Sequence, residues 1–200
     1  EVSEKIHPDI IGLVTILICN PFVAKTLELP LPVSTKFYNF ANSVITRYNI
    51  IKNIDEDLTP ISPIDEGFPG LAFSGGADSC AALAIMPSRT KCIFLKRPMH
   101  KDSLYNYDAP MKICDLLKES GFDTYVVETN LENIRNPTGF PTDLANAVPA
   151  ILLSESLKLD SISFGTVLEA AYRIGHREFR EYGKTAHWKF FSTLFSSVGL

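Results

Sequence analysis

Residues 70–84 read GLAFSGGADSCAALA. A short apolar run enters two adjacent glycines and leaves as an alanine-rich stretch, so the chain turns from a strand directly into a helix. A strand followed at once by a helix cannot return as its own hairpin partner. It feeds a crossover, and a crossover makes the next strand parallel. The alternation continues: β-like runs at 71–74 (LAFS), 91–95 (KCIFL), 123–128 (DTYVVE) and 161–165 (SISFG) are separated by helix-like stretches near 77–86, 107–120 and 142–158. That order predicts an α/β fold of three layers, α/β/α, with a parallel sheet between helices.

The first 69 residues have a different texture. HPDIIGLVTILICNPF reads as a buried helix, TLELPLPVS as a short extended piece, and STKFYNFANSVITRY as a helix capped by Ser34 or Thr35. NIDEDLTPISPIDEGFPG, rich in acid and proline, reads as an exposed connection. The expected organisation is therefore a mainly helical N-terminal segment and linker over 1–69, and an α/β domain over 70–200. The apolar run Ile10–Cys19 is about half the length of a membrane span and is closed by Pro21. Acidic Glu1 and Glu4 precede it in place of a basic leader region. With no initiator Met and an ending on SSVGL, we expect a piece of a longer protein.

Composition narrows the partners. At 200 residues and 46% hydrophobic content the chain can bury a substantial core. A net charge of −4 with no run of Lys and Arg offers no footprint for nucleic acid or an anionic membrane, which favours a small-molecule substrate and leaves a homo-oligomer open. Cys19, Cys80, Cys92 and Cys114 lack CxxC or any short metal-type spacing and read as buried free thiols of a reducing, cytoplasmic compartment.

The chemistry concentrates in the opening stretch. In an open parallel sheet, ligands gather beyond the carboxyl ends of strands, where helix N-termini present N–H groups and partial positive charge. Gly75 and Gly76 let backbone approach an anion, and Ser74 and Ser79 add hydroxyl donors. A phosphate suits such a turn. The GxxxxGK[ST] pattern is absent, and Asp78 stands where negative phosphate would lie, which calls for a bridging Mg²⁺.

SGGADS after a hydrophobic strand resembles the SGGxDS loop of the N-type ATP pyrophosphatases, the PP-loop superfamily of asparagine and GMP synthetases, argininosuccinate synthetase, tRNA lysidine synthetase and 7-cyano-7-deazaguanine synthase. The resemblance implies an adenine nucleotide alpha hydrolase-like (HUP-type) fold, and cleavage of ATP between its α and β phosphates. A substrate oxygen is adenylated, pyrophosphate leaves, and a nucleophile displaces AMP. FLKRPMH places His100 past the second strand much as the deazaguanine synthases place a Gln-Arg-His triplet. The stretch 142–166 resembles their later helix and fourth strand, and Gly165–Thr166 resembles the Gly-Thr of GMP synthetases. The likeness spans roughly 70–180. The four-cysteine zinc site of the deazaguanine synthases has no counterpart in these 200 residues, so no zinc site is expected in this chain: either a further C-terminal part holds it, or this is a divergent relative with another substrate.

On this resemblance the phosphate cradle comprises Ser74, Gly75, Gly76, Ala77, Asp78 and Ser79, with Asp78 the Mg²⁺ ligand. Lys96, Arg97, His100, Asp143, Gly165, Thr166 and Glu169 are the further nucleotide-site candidates, and Asn146 joins Asp143 in lining an acceptor pocket. After the fourth strand, Glu169, Arg173 and Arg177 share a helix face by their i,i+4 spacing and could grip departing pyrophosphate. Asp78, Arg173, Arg177 and His176 are the catalytic candidates, His176 and His187 having the titration range for proton transfer. The ordinary alternative for this cluster is a solvated charged face, and for Thr142 or Asp143 a helix cap. The carboxylates at Asp55, Asp57, Asp65 and Glu66 read as solvated charge.

The expected function is an AMP- and pyrophosphate-forming, C–N type ligase that adenylates a carboxylate or carbonyl oxygen, with ammonia or an amine as the nucleophile. The alternatives are an adenylation-driven epimerase of a peptidoglycan precursor and a non-catalytic nucleotide sensor. A tRNA-modifying relative would show a basic face and, for sulfur transfer, paired cysteines, and both are missing here.

Overall fold

The computed structural model describes residues 5–97, 108–136, 144–165 and 182–200. By compactness the chain divides into a unit of Glu1–Asp65 with Val167–Leu200 and a unit of Glu66–Thr166.

The first unit is built on helices α1 (Pro8–Cys19) and α2 (Thr35–Val44), the two-residue strands β1 (Thr26–Leu27) and β2 (Asn49–Ile50), and a C-terminal helix 186–196 that packs on α2. Pro8 stands at the start of α1, where a missing N–H costs nothing, and the His7 side chain caps Asp9 N–H. Ser34, rather than Thr35, caps α2 by accepting from Phe37 N–H. The two helix starts interlock: buried Asp9 takes hydrogen bonds from Ser34 N–H (2.8 Å) and Ser34 Oγ (2.7 Å). β1 and β2 pair parallel, with α2 as their crossover, and a Val33–Ile54 bridge extends the pairing. Ile10, Leu13, Ile16, Leu17, Val33 and Phe37 form the fully buried centre.

The second unit carries a four-stranded parallel sheet, β3 (Phe68–Phe73), β4 (Lys91–Lys96), β5 (Thr124–Glu128) and β6 (Leu159–Phe164), in the order β5-β4-β3-β6. Helices α3 (Ala77–Ile85) and α4 (Asp108–Glu119) make the first two crossovers. Leu71 and Phe73 of β3 and Cys92 and Phe94 of β4 point to this helical face, where they meet Leu83 and Cys114. Alternation sends Ala72, Ile93 and Leu95 to the opposite face, which α5 (Val148–Leu152) covers. Helices on both faces of a parallel sheet make the expected three layers.

The helix-like stretch near 142–158 resolves, within its described part, into a 3₁₀ turn at 145–147, α5, which carries Pro149 in its first turn, and the short α6 (Ser154–Leu157), interrupted at Leu153 and ended by left-handed Lys158. The C-terminal helix of the first unit is α7 (Ala186–Ser196), capped by Thr185. Among the described residues no helix is long and apolar enough to cross a membrane.

Two connections run from β3 outward to β5, and the third passes back to place β6 on the other side of β3. The strand order therefore reverses between β3 and β6. In an open α/β sheet that reversal opens a crevice at the carboxyl ends of the two strands.

Candidate functional site

Residues 74–79 lie at that reversal, between the end of β3 and the first turn of α3. Gly75 has φ +72°, a left-handed conformation that side chains rarely adopt, and a β-carbon there would lie 2.8 Å from Pro110 Cβ at the start of α4. Gly76 is the N-cap of α3 and has no side chain to satisfy the first-turn N–H groups. The N-terminus of α3 is thus left open toward an acceptor from outside the helix.

Ser79 ties the turn together from beneath. It is 2% exposed, its Oγ donates to Gly76 O (3.0 Å) and accepts from Ser74 N–H (3.3 Å), and Ser74 Oγ lies 3.1 Å away. Ser74 Oγ in turn accepts from Gly76 N–H at 3.3 Å. Ser74, Gly76, Ala77 and Asp78 are exposed. The two serines therefore differ in kind: Ser79 is internal to the turn, while Ser74 stands at its rim with the Asp78 carboxylate.

The end of β6 closes the other side. A β-carbon on Gly165 would lie 2.6 Å from Asp78 C, Asp78 O and Ser79 N. Glycine at 165 is what lets the end of β6 pass against the backbone of α3's first turn. Sequence reading named Gly165 by resemblance, and close approach is its physical reason.

Lys96 and Arg97 lie where expected, at the carboxyl end of β4, and each meets a carboxylate. Lys96 pairs with exposed Glu128, holding that carboxyl below its ordinary range through their hydrogen bond. Arg97 Nη1 donates to Glu132 Oε1 at 2.6 Å, and Glu132 is only 8% exposed. Neither glutamate carries a sequence signal, because each follows a strand whose neighbour is known only once the sheet is assembled. Pro110 was likewise missed: nothing in its own sequence neighbourhood points to the glycine turn.

His100, Asp143, Thr166, Glu169, Arg173, His176 and Arg177 lie outside the described residues, as do Thr142 and Arg180. Asn146, in the 3₁₀ turn before α5, has a buried Oδ1 with no hydrogen-bond partner among the described residues.

Of the four thiols, Cys92 and Cys114 are buried and Cys19 and Cys80 are partly exposed, so the expectation of four buried thiols is corrected for two of them. Burial, reinforced by the neighbouring Cys114 and Cys80, pushes the Cys92 thiol up to about 12. No group of three or more His, Cys, Asp or Glu among the described residues could hold a metal ion. A hard cation at Asp78 would have to take its other oxygen ligands from phosphate and water, as Mg²⁺ commonly does. An exposed carboxylate beside an open helix N-terminus fits that arrangement.

No family model matches the chain, and no curated protein matches it. Among solved structures the chain is similar to the U34-tRNA thiolase NcsA from Methanococcus maripaludis, determined with its 4Fe-4S cluster. The identity is 18%, the TM-score 0.36, and the match covers 69% of this chain and 47% of that one. This chain thus matches about half of that protein's length. At such a TM-score the architecture and the site stand on the strand order, register and contacts of this chain itself.

Proposed function

We propose that the chain binds the polyphosphate of ATP in the 74–79 turn and cleaves it between the α and β phosphates. The observation that carries the reading is a convergence at the sheet's reversal point: left-handed Gly75, the uncapped N-terminus of α3, and Gly165 seated against that same turn. Backbone N–H groups of the first turn would cradle phosphate oxygens, with the helix dipole favouring their charge. The Ser74 hydroxyl, at the rim, is placed to donate to the same anion. Asp78 would supply a carboxylate oxygen to Mg²⁺, whose charge offsets that of departing pyrophosphate.

In this reading a carboxylate or carbonyl oxygen of a small substrate attacks the α-phosphorus. The bond from that phosphorus to the β-bridging oxygen breaks, and pyrophosphate carries off the electron pair. Ammonia or an amine then displaces AMP from the adenylate. Arg173, Arg177 and His176 remain proposals for assisting these steps, and the cytoplasm is the proposed compartment.

The test is calorimetric titration of the chain with ATP, AMP and pyrophosphate, each with and without Mg²⁺, beside the Asp78→Asn variant. Saturable, Mg²⁺-dependent binding of ATP and pyrophosphate is expected, weakened about tenfold or more in the variant, since a carboxylate–cation contact is lost. Unchanged nucleotide affinity with a large drop in melting temperature would mean that the turn only packs a helix on a sheet. Release of AMP and pyrophosphate with candidate carboxylic acids separates an enzyme from a nucleotide sensor.

A further inference from the structure

The sheet order β5-β4-β3-β6 leaves β5 at one end. In its parallel pairing with β4, Cys92 N–H donates to Asp123 O and Thr129 N–H donates to Lys96 O. The odd-numbered residues of β5 therefore turn their backbone groups to β4, and Thr124, Val126 and Glu128 turn theirs outward. None of these outward N–H and C=O groups has a hydrogen-bond partner among the described residues. Such a row is a template for another strand, and natural edges usually carry a proline, a lysine or a bulge against it. β5 has none of these: it reads Thr-Tyr-Val-Val-Glu, and its register with β4 is unbroken. The two acids at its ends are matched within the sheet, Asp123 by Lys91 and Glu128 by Lys96.

The same stretch complements itself. Laid antiparallel on a second copy with Val126 opposite its own counterpart, Thr124 stands opposite Glu128 of that copy. All three outward residues then exchange N–H and C=O with the residue they face, as hydrogen-bonded antiparallel pairs do. Any other register carries one of them past the end of the strand. Side chains suit the arrangement too. Val126 packs on the cluster of Leu71, Phe73 and Phe94, so it lies on the helical face of the sheet with Thr124 and Glu128. On the opposite face half-buried Tyr125 meets Val127 of the second copy, an aromatic against a β-branched side chain. Asp123 falls opposite Thr129 on that face, so no acid is set against an acid.

We infer that β5 is an interaction edge whose partner is a second copy of this chain, the two strands pairing antiparallel about Val126 to make one continuous sheet. One five-residue strand per copy is a small interface, so the association is reversible, with monomer and dimer exchanging over micromolar concentrations.

The experiment is sedimentation velocity of the chain across concentration, with amide hydrogen exchange at the two ends of the range. The mass is expected to rise from 22.2 kDa toward twice that value. The amides of Thr124, Val126 and Glu128 should gain protection with concentration, while those of Tyr125, Val127 and Thr129, held by β4, stay protected throughout. Thr124→Glu sets like charges opposite each other, twice per dimer by symmetry, and is expected to weaken association about tenfold. Adding Glu128→Gln should restore it, a rescue specific to the register centred on Val126. Val126→Pro removes an outward N–H and no bond to β4, and should leave a monomer. If that variant does not fold, the Thr124 and Glu128 variants decide the matter. A chain that stays at 22.2 kDa with all three outward amides exchanging freely would mean that water alone covers the edge, and would overturn the inference. A dimer insensitive to Thr124→Glu would place the interface elsewhere, and a loss that Glu128→Gln does not restore would rule out this register; either result overturns it as well.

Discussion

Three glycines at the candidate site serve different ends, and the missing β-carbon is not equally necessary in each. At Gly165 a methyl group would sit against backbone atoms of Asp78 and Ser79 that have nowhere to move. Gly165→Ala is therefore expected to destabilise the chain by about 1–3 kcal/mol in urea denaturation, the range for forced overpacking, and, on the proposed reading of the turn, to weaken pyrophosphate binding. Gly76 is the control: its backbone is ordinary extended chain, and an added methyl would meet only Ser74 Oγ at 3.4 Å. Gly76→Ala should cost no more than about 0.5 kcal/mol. The sequence shows two adjacent glycines and a third at 165, and so makes the turn legible. Which glycine is obligatory depends on what crosses nearby, and the crossing chains, at Pro110 and at the end of β6, come from remote stretches.

At the level of elements, periodicity and caps carried most of the information. The four parallel strands lie within two or three residues of the runs read from β-branched and aromatic content, and α3 and α4 lie within one residue of their expected starts. What local pattern could not supply was partnership. The start of α1 and the start of α2 are each recognisable as helix beginnings, yet nothing local says that Asp9 of one accepts two hydrogen bonds from Ser34 of the other. Ser34→Ala removes the cap of α2 and one donor to a fully buried carboxylate. It is expected to cost about 2 kcal/mol, seen as a lowered urea midpoint with unchanged slope. Asp9→Ala should show a comparable loss, and the double variant should fall short of the sum by at least about 1 kcal/mol, because both changes break one network. The packing of α7 on α2 was hidden for the same reason: the two helices lie at opposite ends of the chain.

Each compact unit buries a weak acid whose proton is held well above its ordinary range. In the first, Tyr48 is 5% exposed and its hydroxyl has no hydrogen-bond partner among the described residues; burial raises it from 10.0 to about 12. In the second, Cys92 rises from 9.0 to about 12. The folded form holds these protons more tightly than the unfolded form, so their contribution is complete below the unfolded values and is lost as pH rises toward 12. Melting temperature is expected to fall progressively above about pH 9. Tyr48→Phe should flatten the part of that loss above pH 10. At neutral pH the same variant should be as stable as the parent or about 1 kcal/mol more so, since an unpaired buried hydroxyl is removed.

The reversal of strand order also bears on how the molecule is made. β3 takes β4 as a neighbour after one short crossover, but its other side stays open until β6 arrives, much later in synthesis. Closing so long a loop is slow and entropically costly, so docking of β6 is the natural last event in assembling this sheet. Gly165 rides on that strand. The turn at 74–79 can exist early as a local conformation, but its packing against Gly165 is completed only by the strand that docks last. If the proposed phosphate reading holds, ligand capture would report that folding of the sheet is complete, and a nascent chain halted before β6 would carry the motif without its Gly165 wall.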